Sequence, residues 1–133
     1  MRGINKVILL GNVGKAPERR DTVDGRPITS FSLATRRVFL DKAGQKQEET
    51  EWHRLISFGR IAEICSDYLE KGRPVYVEGR LQTRQFSDKQ GVNRYITEVL
   101  VDTLQLLGRP EDGRERGRPA APIVRDEVAD LPF

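Results

Sequence analysis

The stretch TEWHRLISFGRIAEICSDYLEKGRPVYVEGRLQTRQF, residues 50–86, changes its period twice. Its first part alternates. Trp52, Arg54, Ile56 and Phe58 fall on one face and Glu51, His53, Leu55 and Ser57 on the other, the two-residue repeat of a strand. Ile61, Ile64, Cys65, Tyr68 and Leu69 then recur at i, i+3, i+4, i+7 and i+8, which predicts an amphipathic helix about three turns long. Lys71 fits the last turn of that helix and Gly72 the position just past it, where a cation and a left-handed residue both suit a helix end. Pro74 prevents continuation. Alternation resumes over 75–86, with Val75, Val77, Gly79, Leu81 and Thr83 on one face and Tyr76, Glu78, Arg80, Gln82, Arg84 and Phe86 on the other.

The flanks extend the pattern. Val7 to Leu10 is a short apolar run closed by Gly11 and Gly14, a buried strand followed by a bend. Asp24-Gly25 reads as a hairpin turn. Ile28 to Leu40 is a long strand, and residues 41–49 are polar, contain Gly44 and predict an exposed loop. Ser87 to Gly91 is a polar turn and Asn93 to Leu107 the last strand. Three strands, a helix and two strands is the order of an all-β OB-fold, a five-stranded Greek-key barrel with one helix between strands 3 and 4. An α+β sandwich fits the same order. From Arg109 onward, RPEDGRERGRPAAPIVRDEVADLPF is rich in Gly, Pro and Arg without periodicity and predicts a disordered C-terminal tail.

With 133 residues the chain has room for one domain. The longest uncharged run, Pro27 to Thr35, falls far short of the roughly 18 residues of a membrane-spanning helix. Val7 to Leu10 is too short for the apolar region of a signal peptide. Cys65 and His53 are the single cysteine and histidine, which excludes a disulfide framework and a multi-cysteine metal site and argues against a zinc enzyme. A soluble, cytoplasmic protein is expected, with no membrane partner. The net charge of +3 divides unevenly. Residues 1–108 carry 18 Lys/Arg against 14 Asp/Glu, residues 109–125 five against three, and residues 126–133 three acids and no base. A short acidic tip of this kind is a frequent interaction tail.

Gly11-Asn12-Val13-Gly14-Lys15-Ala16 is not a phosphate loop, because Leu9 and Ala16 stand where that motif needs Gly and Ser or Thr. No carboxylate pair and no nucleophile–base set stands out, so the chain is not expected to be an enzyme or to need a cofactor or metal. The aromatic residues are more informative. Trp52, Arg54 and Phe58 share one strand face, and Tyr76, Arg80, Arg84 and Phe86 share another. Such rings either pack in a core or subunit contact, or form a platform for single-stranded nucleic acid. Bases stack on rings for roughly 1–3 kcal/mol each while Arg and Lys hold the phosphates.

The segments GINKVILLGNVG (3–14), SFSLAT (30–35), TEWHRLISFG (50–59), YLEKGRPVYVEGRLQTR (68–84) and RYITEV (94–99), with the end Asp130-Leu131-Pro132-Phe133, resemble the bacterial single-stranded DNA-binding protein (SSB) family in order and spacing. The resemblance implies an OB-fold over 1–108, a flexible linker over 109–125 and a partner-binding tip over 126–133. It also implies a cytoplasmic, nucleoid-associated homotetramer that binds single-stranded DNA without sequence preference. Base stacking would fall to Phe39, Trp52, Phe58 and Phe86, with Phe39 and Phe86 standing where well-known members carry Trp. Arg2, Arg54, Arg60, Lys71, Arg73 and Arg84 fall where the family places basic groups near the strand. His53 matches a histidine at the subunit interface. Asp126, Asp130, Leu131, Pro132 and Phe133 would dock replication, recombination and repair proteins. The alternative is an OB-fold protein-interaction adaptor of a replication or restart complex with little DNA contact, which would not need the ring-and-arginine faces.

Overall fold

The computed structural model describes residues 1–108 and the backbone of residues 124–125. In chain order it has β1 Val7–Val13, β2 Glu18–Asp21, β3 Pro27–Leu40, β4 Lys46–Phe58, α1 Gly59–Tyr68, β5 Pro74–Ser87, β6 Asn93–Leu106 and a two-residue β7, Val124–Arg125. Five of these strands close on themselves. β1 pairs antiparallel with β5, β5 with β6, and β3 with β4. β4 lies parallel to β6 at Leu55↔Val99 and Ile56↔Leu100, and β1 returns to β3 at Asn12↔Ala34 and Val13↔Leu33. The ring β1-β5-β6-β4-β3 is the expected OB-fold barrel.

Three hairpins share one turn. In each, the N–H of the first residue donates to the carbonyl of the fifth, and the first carbonyl accepts from the fourth, a glycine with positive φ: Thr22 to Arg26 with Gly25 at 84°, Asp41 to Gln45 with Gly44 at 79°, and Asp88 to Val92 with Gly91 at 79°. A three-residue loop ending in a left-handed residue suits the twist of the flanking strands, and glycine adopts that conformation without steric penalty. The first side chain closes the loop by accepting the N–H of the fifth residue: Thr22 Oγ1 from Arg26, Asp41 Oδ1 from Gln45, and Asp88 Oδ1 from Val92.

These turns explain two departures from the sequence expectation. The expected loop over 41–49 narrows to the Asp41 turn, so β4 begins at Lys46. The Thr22 turn folds the wholly exposed β2 back onto β3, Glu18↔Ser30 to Asp21↔Pro27. Because β2 was not expected, the helix follows the fourth strand of the chain, although it still follows the third strand of the closed ring.

The helix also ends earlier than expected. The Leu69 N–H closes on Cys65 O and Leu69 is itself extended, so Lys71 and Gly72 lie beyond the helix. They occupy a turn tied to β1, in which the Gly72 N–H donates to Val13 O and the Val13 N–H to Arg73 O. Ile61, Cys65 and Leu69 of the α1 region join Phe31, Leu33, Leu55, Val75, Val77, Val99 and Leu104 in one core. The helix is pinned there by Thr29 Oγ1, which donates to Ala62 O at 2.7 Å. Burial pushes the Cys65 thiol up to about 12, against a weak opposing bond from Ser57. Among the described residues, no helix is long and apolar enough to cross a membrane.

Candidate nucleic-acid interface

The outward face of β4 is set by its partner strand. Trp52 lies opposite Ala34, Arg54 opposite Ser32, Ile56 opposite Ser30 and Phe58 opposite Ile28. Paired residues project to the same side, so Trp52 and Arg54 rise above small neighbours. Trp52 is 60% exposed. Its ring rests against Gly14, where an added Cβ would lie 2.5 Å from Trp52 Cζ3 and 2.5 Å from Ser32 Oγ. The Gly14 N–H donates to Ser32 O at 2.9 Å, which fixes this seat to β3.

β5 and β6 bring the second set of residues alongside. The parallel register Leu55↔Val99 sets Arg54 next to Glu98, and the antiparallel register Gln82↔Glu98 sets Arg84 on its other flank. Arg54 Nε donates to Glu98 Oε2 at 2.9 Å and Arg84 Nε to Glu98 Oε1 at 2.7 Å. The Glu98 side chain is fully buried, whereas the arginines are 45% and 42% exposed. Burial pushes the Glu98 carboxyl up, but the hydrogen bonds and charges of Arg84 and Arg54 outweigh it and hold the group below its ordinary value. Reciprocally, the bond to Glu98 raises Arg84. The two strand faces read separately from the sequence are therefore one surface, joined at Glu98.

The remaining candidates are distributed around it. Phe86 is exposed on the Arg84 face of β5, and the Arg84 guanidinium lies 6.0 Å from its ring centroid. Phe58 is half-buried on the Trp52 face of β4. By strand alternation Phe39 shares the face of Thr35 and Arg37, opposite that of Ala34 and Trp52, and the Arg37 guanidinium covers its ring at 4.3 Å. Arg60 is exposed in the first turn of α1, and Lys71 is exposed in the turn tied to Val13. Arg2 is exposed in the segment before β1. That segment is held to β5 by Asn5, whose side-chain amide bonds both backbone groups of Leu81 at 2.8 and 3.0 Å.

Arg73 departs from the expected set. It is buried to 7% exposure, with Nη1 directed at Tyr68 O, and does not stand on the surface with Arg54 and Arg84. His53 is half-buried, with Nε2 2.9 Å from Thr35 Oγ1. Asp126, Asp130, Leu131, Pro132 and Phe133 lie outside the described residues, as does the linker apart from Val124 and Arg125, whose backbone pairs with Leu104 and Thr103 of β6.

Sequence reasoning missed Gly14 as the seat of Trp52 and Glu98 as the junction. Glu98 did leave a signal: it is the one acid in the apolar run from Ile96 to Val101. A carboxylate in such a run needs cations within reach.

Residues 4–107 match the model of the single-strand binding protein family. Single-stranded DNA-binding protein 1 of Chlorobaculum tepidum is 50% identical over 113 residues, which cover 84% of this chain and 70% of that protein. A solved Plasmodium falciparum SSB complex with ssDNA matches with a TM-score of 0.73 at 33% identity, over 81% of this chain and 98% of the other. A crystal structure of a deletion mutant of the Thermus aquaticus single-stranded DNA binding protein matches with a TM-score of 0.71 at 36% identity, over 86% of this chain and 54% of the other.

Proposed function

The chain belongs to the single-strand binding protein family, and on that premise we propose that it binds and protects single-stranded DNA, independent of sequence, in replication, recombination and repair. The observation that carries the mechanism is the joined surface of Trp52, Arg54, Arg84 and Phe86. Its exposed rings stand beside cations anchored from below. Bases stack on Trp52, Phe86 and Phe58 while the outer edges of Arg54 and Arg84 hold phosphates, and Phe39 adds a fourth ring on the far side of the β3–β4 hairpin. Arg60, Lys71 and Arg2 extend the cationic path around the barrel. Arg73, being buried, contributes to the fold instead. A duplex keeps its base faces stacked on one another, so a ring surface selects single strands.

Trp52 is the single tryptophan, so its fluorescence reports the site directly. Titration with oligo-dT should quench it, and the slope of log K against log salt should approach about −0.7 for each phosphate neutralised. Binding without quenching would remove Trp52 from the surface.

The working form is proposed to be a homotetramer. Ile8 and Leu10 of β1 are 59% and 61% exposed, and β1 pairs with β3 only at Asn12 and Val13, which leaves Val7 to Leu10 with an open edge. An apolar open edge is a template for a second chain. His53, held on Thr35, is assigned to a subunit contact. The tip 126–133, with Asp126, Asp130, Leu131, Pro132 and Phe133, recruits replication, recombination and repair proteins. Light scattering of the wild type and of Leu10→Asp tests the assembly: the wild type should measure as a tetramer and the variant as a smaller species. A wild-type monomer would end the proposal.

A further inference from the structure

Glu98 is a puzzle on charge alone. A buried carboxylate beneath an anion-binding surface cancels one of the two cations above it. The geometry gives it another use. Each arginine contacts Glu98 through Nε, at 2.9 Å from Arg54 and 2.7 Å from Arg84, and Arg84 adds a longer Nη2 contact at 3.4 Å. A guanidinium has five N–H groups in a rigid plane, so fixing the Nε edge fixes the direction of the others. Glu98 is fully buried and both arginines are nearly half exposed, so the acid lies below and the unspent N–H groups above.

We propose that Glu98 is a positioning residue for the phosphate-reading arginines, gripping Arg54 and Arg84 by their Nε edges and presenting their outer edges at one fixed spacing. The role rests on the single-strand reading above. A free surface arginine gives up side-chain freedom when it captures a phosphate, whereas these two have given it up already. One carboxylate serves both strands, so the cation from β4 and the cation from β5 move as a unit.

Charge and positioning predict opposite signs for Glu98→Gln. Removing the negative charge should tighten binding if charge is all that matters. If Glu98 positions the arginines, the variant should bind a dT oligomer about 3- to 10-fold more weakly despite losing a negative charge, because Arg54 and Arg84 sit on different oxygens and the amide turns one of them into an NH2 donor that cannot accept a guanidinium N–H. Unchanged or tighter binding overturns the proposal. The same substitution placed in an Arg54→Ala, Arg84→Ala background should leave the residual affinity unchanged or slightly raised, since only the charge effect remains there. An equal loss there would mean that Glu98 acts through the fold at large.

A measurement on the wild-type chain covers the case in which the variant does not fold. Nitrogen-15 spectra should show the Nε–H signals of Arg54 and Arg84 protected from solvent exchange, both free and bound to dT. Exchange as fast as that of Arg36 or Arg37 refutes the grip. A wild type that fails to bind dT sinks the parent reading and the phosphate role together, whereas normal wild-type binding with an unweakened Glu98→Gln sinks the positioning role alone.

Discussion

A methyl group added at Gly14 would collide with Trp52 and with Ser32, both at 2.5 Å. The exposed indole is the softer of the two, so Gly14→Ala should push the ring off its seat and leave the barrel folded. The expected outcome is a shifted tryptophan emission maximum, with part of the roughly 1–3 kcal/mol that one stacked base contributes lost from dT binding. Unchanged emission would show that Trp52 does not depend on the seat. Glu98 carries a pH signature. Its carboxyl is held below its ordinary 4.5, chiefly by Arg84 and Arg54 against burial. A depressed acid contributes stability that is complete above the unfolded value and is lost as pH falls through the folded one. The melting temperature of the wild type should therefore drop as pH falls below about 4.5, and Glu98→Gln should drop less. Parallel acid curves would contradict the assignment. Trp52 and Arg84 were legible in the sequence because a ring or guanidinium on an alternating strand declares its face. Gly14 and Glu98 were not, because each acts on residues that only the closed barrel brings near.

At the scale of elements, the long strands and the helix stripe were legible because apolar period follows burial. β2 was not, since Glu18-Arg19-Arg20-Asp21 buries nothing and is a strand only because the Thr22 turn lays it on β3. The end of α1 was misread for a related reason: Gly72 serves a turn that binds β1, so the glycine marks a junction and not a cap. The helix has one polar tie to the barrel worth testing. Thr29→Val removes the donor to Ala62 O, a carbonyl that still accepts within the helix, and should lower stability by about 0.5–1.5 kcal/mol in urea denaturation. The folded fraction should bind dT as before, because Thr29 is buried away from the rings. Cys65 provides an internal check on that unfolding. With its thiol raised to about 12 and no exposed surface, it should react with a disulfide reagent only as the barrel opens.

For the whole molecule, the proposed division of labour follows the charge. Residues 1–108 carry the basic excess and 126–133 the acidic one. Deleting 126–133 should leave dT affinity intact or slightly raised, because an anionic segment competes for the same cations. A large loss of affinity would reject the division. The return of β1 to β5 has a consequence in time. Val7 sits opposite Gly79, whereas the β3–β4 and β5–β6 hairpins join residues that are neighbours along the chain. Short loops close early and distant pairings late. The two hairpins should therefore nucleate folding, with β1 as the last stave to enter. A truncation such as Leu9→Ala should then hasten unfolding and barely change the refolding rate in stopped-flow chevrons. The strand that completes the ring would also be the first to leave it.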